Sequence, residues 1–173
     1  MSSYALEILA ACHDRIRFVS GLESVDRYLR ETARGHQEKG VSVTRVLVGL
    51  DASPPKAVLG YFTLSNITVD AKNWPGAPKG LPKQTVSAVL LGRLAVAISA
   101  HRQGIGSMLV ATACQLASET IARTGGIGMV VDAADENTFG FYAKYGFLRV
   151  APESLRMFLP TASLQSGVEI PRA

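Results

Sequence analysis

The sequence predicts a mixed α/β (α+β) domain built round a βαβα core. Three observations predict it. An apolar, strand-like run at Thr85–Ala97 gives way, after a short loop, to a helical stripe over Gly104–Arg123. A second apolar run, Gly128–Val131, leads into a second helical stretch, Glu136–Tyr145. Upstream, β-branched runs are separated by proline and glycine turn signals. Such strand–helix–strand alternation builds a sheet with parallel neighbours. With 173 residues, 47% of them hydrophobic, the chain fits one domain over 1–173 with a sizeable core.

Residues 4–10 alternate weakly and give a first strand, and Ser20-Gly21 is a break. Residues 23–38 follow helical spacing, with Leu22, Val25 and Leu29 as the apolar stripe. Arg27, Arg30 and Arg34, spaced i, i+3 and i+7, share another face of that helix. Val41–Leu50 is rich in β-branched residues and reads as a strand; Asp51-Ala-Ser-Pro-Pro turns the chain into a returning strand over Ala57–Val69. Residues 70–83 carry Pro75, Gly76, Pro78, Gly80 and Pro82 and read as a long irregular loop. In the Gly104–Arg123 helix, Ile105, Met108, Leu109, Thr112, Leu116 and Ala117 form the buried stripe, and Gly125-Gly126 ends it. Gly146 closes the second helix, and Phe147–Val150 and Leu155–Leu159 complete the chain as two strands.

Composition narrows the function classes. Charged residues make up 18% of the chain, too few for a disordered protein. The net charge of +4 is compatible with a polyanionic ligand without choosing one. Cys12, Cys114, His13, His36 and His101 show no metal-ligand spacing, so no metal is expected, and Cys114 reads as a small core residue. The N-terminus lacks the charge pattern of a signal peptide, and no run approaches the roughly 18 apolar residues of a membrane span. A soluble, cytoplasmic protein without a membrane partner is expected.

The chemistry concentrates in Gly92–Gly106. A strand ends, a short loop follows, and Gly104-Ile105-Gly106 opens a helix. The first N–H groups of a helix have no internal partners and carry the positive end of its dipole. Glycine lets a diphosphate approach such a backbone. A P-loop is excluded because Gly-Lys-Ser/Thr is missing, and the dinucleotide fingerprint fails because Leu109 stands where its third glycine belongs. Close helix–strand packing is the competing explanation for Gly104 and Gly106.

The run from Leu94-Ala-Val96 to His101-Arg-Gln-Gly-Ile-Gly106 resembles the acetyl-CoA-binding motif of the GNAT superfamily of N-acetyltransferases. Val131-Asp-Ala-Ala-Asp-Glu-Asn-Thr-Phe-Gly-Phe-Tyr-Ala-Lys-Tyr-Gly-Phe147 resembles that family's ending. The resemblance implies a mixed central sheet, splayed between its two central strands, with helices on both faces. It implies that Leu94, Ala95 and Val96 pair with the pantetheine arm, and that His101, Arg102, Gln103, Gly104, Ile105 and Gly106 hold the diphosphate. Tyr142 then matches the tyrosine beside the thioester, where a phenol can give a proton or hydrogen bond to the leaving thiolate. A half-buried structural tyrosine is the alternative, and Tyr145 reads as structural. Asp135 reads as a helix cap, and Asn137 stands as a CoA-contact candidate. His101 departs from the family's usual Arg or Gln, and Ala97 from a common Asp.

Phe18–Arg30, Ala33–Gln37, Leu90–Val96 and Asp132–Glu136 together are similar to the GNAT toxins of bacterial type II toxin–antitoxin modules. That narrower resemblance implies acetylation of the α-amino group of aminoacyl-tRNA, a block to translation, and a ribbon-helix-helix antitoxin; a homodimer stays open. Arg27, Arg30, Arg34 and Arg93 are the candidate nucleic-acid contacts, with Lys72, Lys79, Lys83 and Arg102 as further cations. An ordinary solvated face is the competing reading, since Glu23, Asp26, Glu31 and Glu38 share the first helix. Two other functions stand beside this one: acetylation of a small amine or protein N-terminus, and a catalytically weak CoA-binding module. No carboxylate–histidine pair offers a general base. That favours an α-amine, whose pKa of about 7.7–8.0 leaves much of it neutral near pH 7.

Overall fold

The computed structural model describes residues 3–167. Its elements in chain order are β1 (Tyr4–Ile8), β2 (His13–Asp14), α1 (Glu23–Arg27), a π-helical turn (Tyr28–Thr32), α2 (Ala33–Glu38), β3 (Val43–Gly49), β4 (Lys56–Ala57) and β5 (Gly60–Val69). There follow β6 (Val86–Val96), a 3-10 turn (Ile98–Ala100), α3 (Ile105–Thr124), β7 (Gly128–Asp132), α4 (Glu136–Ala143), β8 (Leu148–Arg149), β9 (Arg156–Pro160) and α5 (Thr161–Gln165). Seven strands form one sheet in the order β1-β3-β5-β6-β7-β9-β8, and β2 pairs with β4 in a small parallel ribbon. The β6–β7 pair is parallel, while β1–β3, β3–β5, β7–β9 and β8–β9 are antiparallel, so the sheet is mixed as expected. The chain sorts into two compact units, Met1–Ser65 with Arg93–Val110 and Asn66–Gly92 with Ala111–Ala173.

In the first unit β3 pairs with β1 on one side and β5 on the other, through Leu6↔Leu47 and Val46↔Tyr61. Val46, Leu47 and Val48 are successively buried, as are Tyr61, Phe62 and Thr63, which marks strands covered on both faces. Gly60 is required by contact. A Cβ there would lie 2.8 Å from Leu109 Cδ1 and 3.0 Å from the Ala95 carbonyl oxygen.

The first helix departs from its predicted phase. The π turn at Tyr28–Thr32 closes with the Ala33 N–H donating to the Tyr28 carbonyl, one residue wider than an α-turn. The buried face is Asp26, Tyr28, Leu29 and Ala33, while Leu22 is left exposed. The arginines are unequally exposed: the Arg27 side chain is 63% exposed, whereas that of Arg30 is only 23% exposed.

In the second unit the parallel pairing is confined to Val89↔Met129, Leu90↔Val130 and Leu91↔Val131. β6 continues for five further residues, to Val96, past the last paired position. This is the opening of the central strand pair that the resemblance implies. β7 is held on its other side by β9, from Gly128↔Pro160 to Asp132↔Arg156. The proline-rich loop is packed rather than loose: the Trp74 ring lies 5.4 Å from that of Phe158, and Ala71 is buried with Val69, Ala88 and Val130.

The buried stripe of α3 is Ile105, Leu109, Val110, Ala113, Cys114, Ala117 and Ile121. Met108 is exposed and Thr112 and Leu116 are half-buried, contrary to expectation. Small side chains at 113, 114 and 117 face inward, so hydropathy alone placed the stripe too far round. At 20 residues, α3 is by length and composition long and apolar enough to cross a bilayer; Gln115 and Glu119 are exposed along it. α5 and β2 are elements without a sequence signal of their own.

Candidate active site

The chain leaves β6 through a loop fixed at several points. The Ala97 N–H donates to the Leu59 carbonyl and the Ile98 N–H to the Val19 carbonyl, both at 2.9 Å. The His101 ring Nε2 lies 3.0 Å from the Val96 carbonyl oxygen. Gln103 donates from Nε2 to the Ser99 carbonyl at 3.3 Å and accepts from the Tyr4 hydroxyl at 3.2 Å. These two side chains therefore brace the loop. Ala97 lines a groove of about 350 Å³ with Phe18, Val19, Leu59 and Ile98.

Arg102 and Gly104 both adopt left-handed backbone, with φ of 62° and 74°. The turn aims the chain into α3, whose early hydrogen bond runs from Met108 N–H to the Gly104 carbonyl. The amides of Ile105 and Gly106 precede any carbonyl one turn back and add to the positive end of a 20-residue helix. Space around Gly104 is open, with nothing within 4 Å of a Cβ placed there. Open space over helix-start amides fits a diphosphate.

Tyr142 stands on α4. The Asp135 side chain caps that helix, accepting from the Thr138 N–H at 2.7 Å. That amide bond also holds the Asp135 carboxyl below its ordinary pKa. Asn137 is exposed in the first turn. Tyr142 is only 4% exposed, with its ring set edge-on to Phe141 and Phe147. Burial pushes its phenol pKa well above the usual value, so it keeps its proton near neutrality. The Cys114 thiol is likewise pushed up, to about 12, by burial and is a core group. Tyr145 is buried and packs on Phe141.

The candidate nucleic-acid arginines are not alike. Glu23 pairs with both Arg27, at 3.8 Å, and Arg30, at 2.7 Å, and Glu38 pairs with Arg34 at 3.4 Å. Arg93 has no carboxylate partner among the described residues; its guanidinium carbon lies 3.8 Å from the centroid of the Tyr28 ring. Such stacking contributes about 0.5–1 kcal/mol at an exposed site. Lys72, Lys79 and Lys83 are exposed on the packed loop.

One polar cluster escaped the sequence reading. His13, almost fully buried, meets Glu7 at 2.8 Å, and Lys56 meets the other Glu7 oxygen at 2.6 Å. The β2–β4 pairing brings His13 opposite Lys56. Cys12, His13 and Glu7 also offer ligand atoms within 4.8 Å of one another, a grouping made by the fold rather than by sequence spacing. The chemistry opposes a metal there. The Ala10 N–H donates to His13 Nδ1, so the ring proton sits on Nε2, directed at Glu7. Neither nitrogen keeps a free lone pair for an ion or for a substrate proton.

A seven-stranded mixed sheet, an opened central strand pair and a helix-start anion cradle define an acyl-CoA-type transferase. The chain belongs to the acetyltransferase (GNAT) family, which matches residues 26–147. It is 28% identical to a tRNA-acetylating toxin of Mycobacterium tuberculosis over 160 residues, 92% of this chain and 93% of the relative. Among solved structures it superposes on a tyrosine-to-phenylalanine variant of KacT with a TM-score of 0.86 and 28% identity, covering 94% of this chain and 98% of that one. AtaT complexed with acetyl-methionyl-tRNAfMet gives a TM-score of 0.85 and 28% identity over 95% and 98% of the two chains. AtaTR bound with acetyl-CoA gives 0.83 and 29% over 94% and 96%.

Proposed function

We propose that this chain is an acetyl-CoA-dependent N-acetyltransferase that acts on the α-amino group of aminoacyl-tRNA and so blocks translation. The observation that carries the reading is the opening of α3, with left-handed Arg102 and Gly104 leading into helix-start amides at Ile105 and Gly106. The acceptor is supported by relatives that match nearly the whole chain and are described as acetylating tRNA or bound to its product.

Acetyl-CoA brings an acetyl group activated as a thioester. In this reading Gly104, Ile105 and Gly106 hold its diphosphate through backbone N–H groups, with Arg102 supplying charge and His101 and Gln103 fixing the loop. Leu94, Ala95 and Val96 offer the strand backbone beyond the last β6–β7 pair to the pantetheine arm. Tyr142 holds its proton on Oη and gives it, or a hydrogen bond, to the departing sulfur. Asn137 contributes an exposed amide at the start of α4. Arg27, Arg30, Arg34 and Arg93 face the nucleic acid. One domain over 1–173 belongs to the reading, since β5, β6 and α3 each contribute residues to both units. A ribbon-helix-helix antitoxin as silencing partner, a cytoplasmic location and a homodimer also belong to it; AtaTR and KacTA support an antitoxin partner.

A second reading, acetylation of a small amine or protein N-terminus, is favoured by the ion pairs that occupy Arg27, Arg30 and Arg34. Cell-free translation separates the two. The protein is expected to halt synthesis only with acetyl-CoA present and to leave N-acetylated aminoacyl-tRNA. Undiminished synthesis with both present would remove the tRNA reading.

A further inference from the structure

We infer that Arg93, stacked on Tyr28, is the positioning residue for a phosphodiester near the aminoacyl end of the acceptor. The inference deepens the proposed function and rests on it. Among the four candidate arginines, three are paired with carboxylates of their own helix, and Arg93 is not. Its backbone lies on β6 directly before Leu94–Val96, so its side chain departs from the strand proposed to carry the acetyl donor.

The platform under it is built. Tyr28 is buried, and its hydroxyl sits between Ser42 Oγ at 3.1 Å and His36 Nδ1 at 3.2 Å. The His36 ring meets the Tyr28 ring edge-on at 5.6 Å. These contacts lock the phenol plane, and the plane fixes the guanidinium above it. The nearby acid, Asp26, is engaged elsewhere: its oxygens accept from the Ser20 N–H and hydroxyl. The neighbouring Tyr61 hydroxyl donates to the Val25 carbonyl. A planar guanidinium with one face on a ring keeps its N–H edge for a bidentate contact, the geometry a phosphate takes. Holding it in place beforehand lowers the entropy lost on binding.

The test compares two acceptors: aminoacyl-tRNA, and an aminoacyl-nucleoside analogue without phosphate. Arg93→Ala is expected to raise KM for aminoacyl-tRNA about tenfold or more, the cost of a charged hydrogen-bonded contact. It should leave KM for acetyl-CoA and turnover of the nucleoside within about twofold, and lower the salt slope of tRNA binding by about one. Arg93→Lys keeps the charge but loses the fork, and Tyr28→Phe keeps the ring but loses its anchors; each should give a smaller rise in KM. Equal losses on both acceptors, or none on tRNA, would overturn the assignment while leaving the tRNA reading intact. Wild-type protein that acetylates the nucleoside and never tRNA overturns both.

Discussion

The start of α3 and the arginine-bearing first helix both offered an anion site, and they fare differently. At α3 the donors are main-chain amides, and their direction follows from where the helix begins and from left-handed backbone at Arg102 and Gly104. In the first helix the donors are long flexible side chains, and Glu23 and Glu38 occupy them. A site made of backbone survives its surroundings; one made of surface charge depends on every neighbouring carboxylate. Arg93 escapes that fate because a ring, not an acid, lies against it.

The largest expected effect lies in the chemistry that the α3 cradle serves. Tyr142→Phe should lower kcat by about 100-fold or more while leaving acetyl-CoA affinity unchanged. Melting temperature should hold, because the rings against Phe141 and Phe147 persist. Unchanged turnover would assign Tyr142 to packing alone. Because burial raises the Tyr142 pKa above its ordinary value of 10.0, the proton-bearing form persists as pH rises. The wild-type rate should therefore climb with deprotonation of the acceptor ammonium, through about pH 7.7–8.0, and then level off. A fall beginning below pH 9 would contradict a buried phenol as the donor.

A smaller effect sharpens the other side of the comparison. Glu23→Gln should free Arg27 and Arg30 and tighten tRNA binding a few-fold at low salt, with a steeper salt dependence. Stability should change by less than about 1 kcal/mol, as befits exposed ion pairs. Binding that does not respond would show that these arginines lie off the nucleic-acid path, whether paired or not.

Legibility followed the same division. The turn into α3 was readable because strand, loop length, glycines and helix are local signals, and the capping role of Asp135 was readable for the same reason. The π turn at Tyr28–Thr32 was not, because a one-residue widening leaves the hydropathy pattern nearly intact. The Glu7–His13–Lys56 cluster joins residues 49 positions apart through the two-residue β2–β4 ribbon, which no periodicity announces. The composition of residues 70–83 suggested an irregular loop, but the Trp74–Phe158 contact that ties it down is tertiary.

Titration calorimetry of the wild-type protein with CoA and with pantetheine addresses the cradle directly. Both carry the arm proposed to pair along Leu94–Val96, and only CoA carries the diphosphate. CoA should bind at least about 100-fold more tightly, as several charge-assisted amide contacts require. Equal affinities, or no heat with either, would contradict a diphosphate held by the opening of α3.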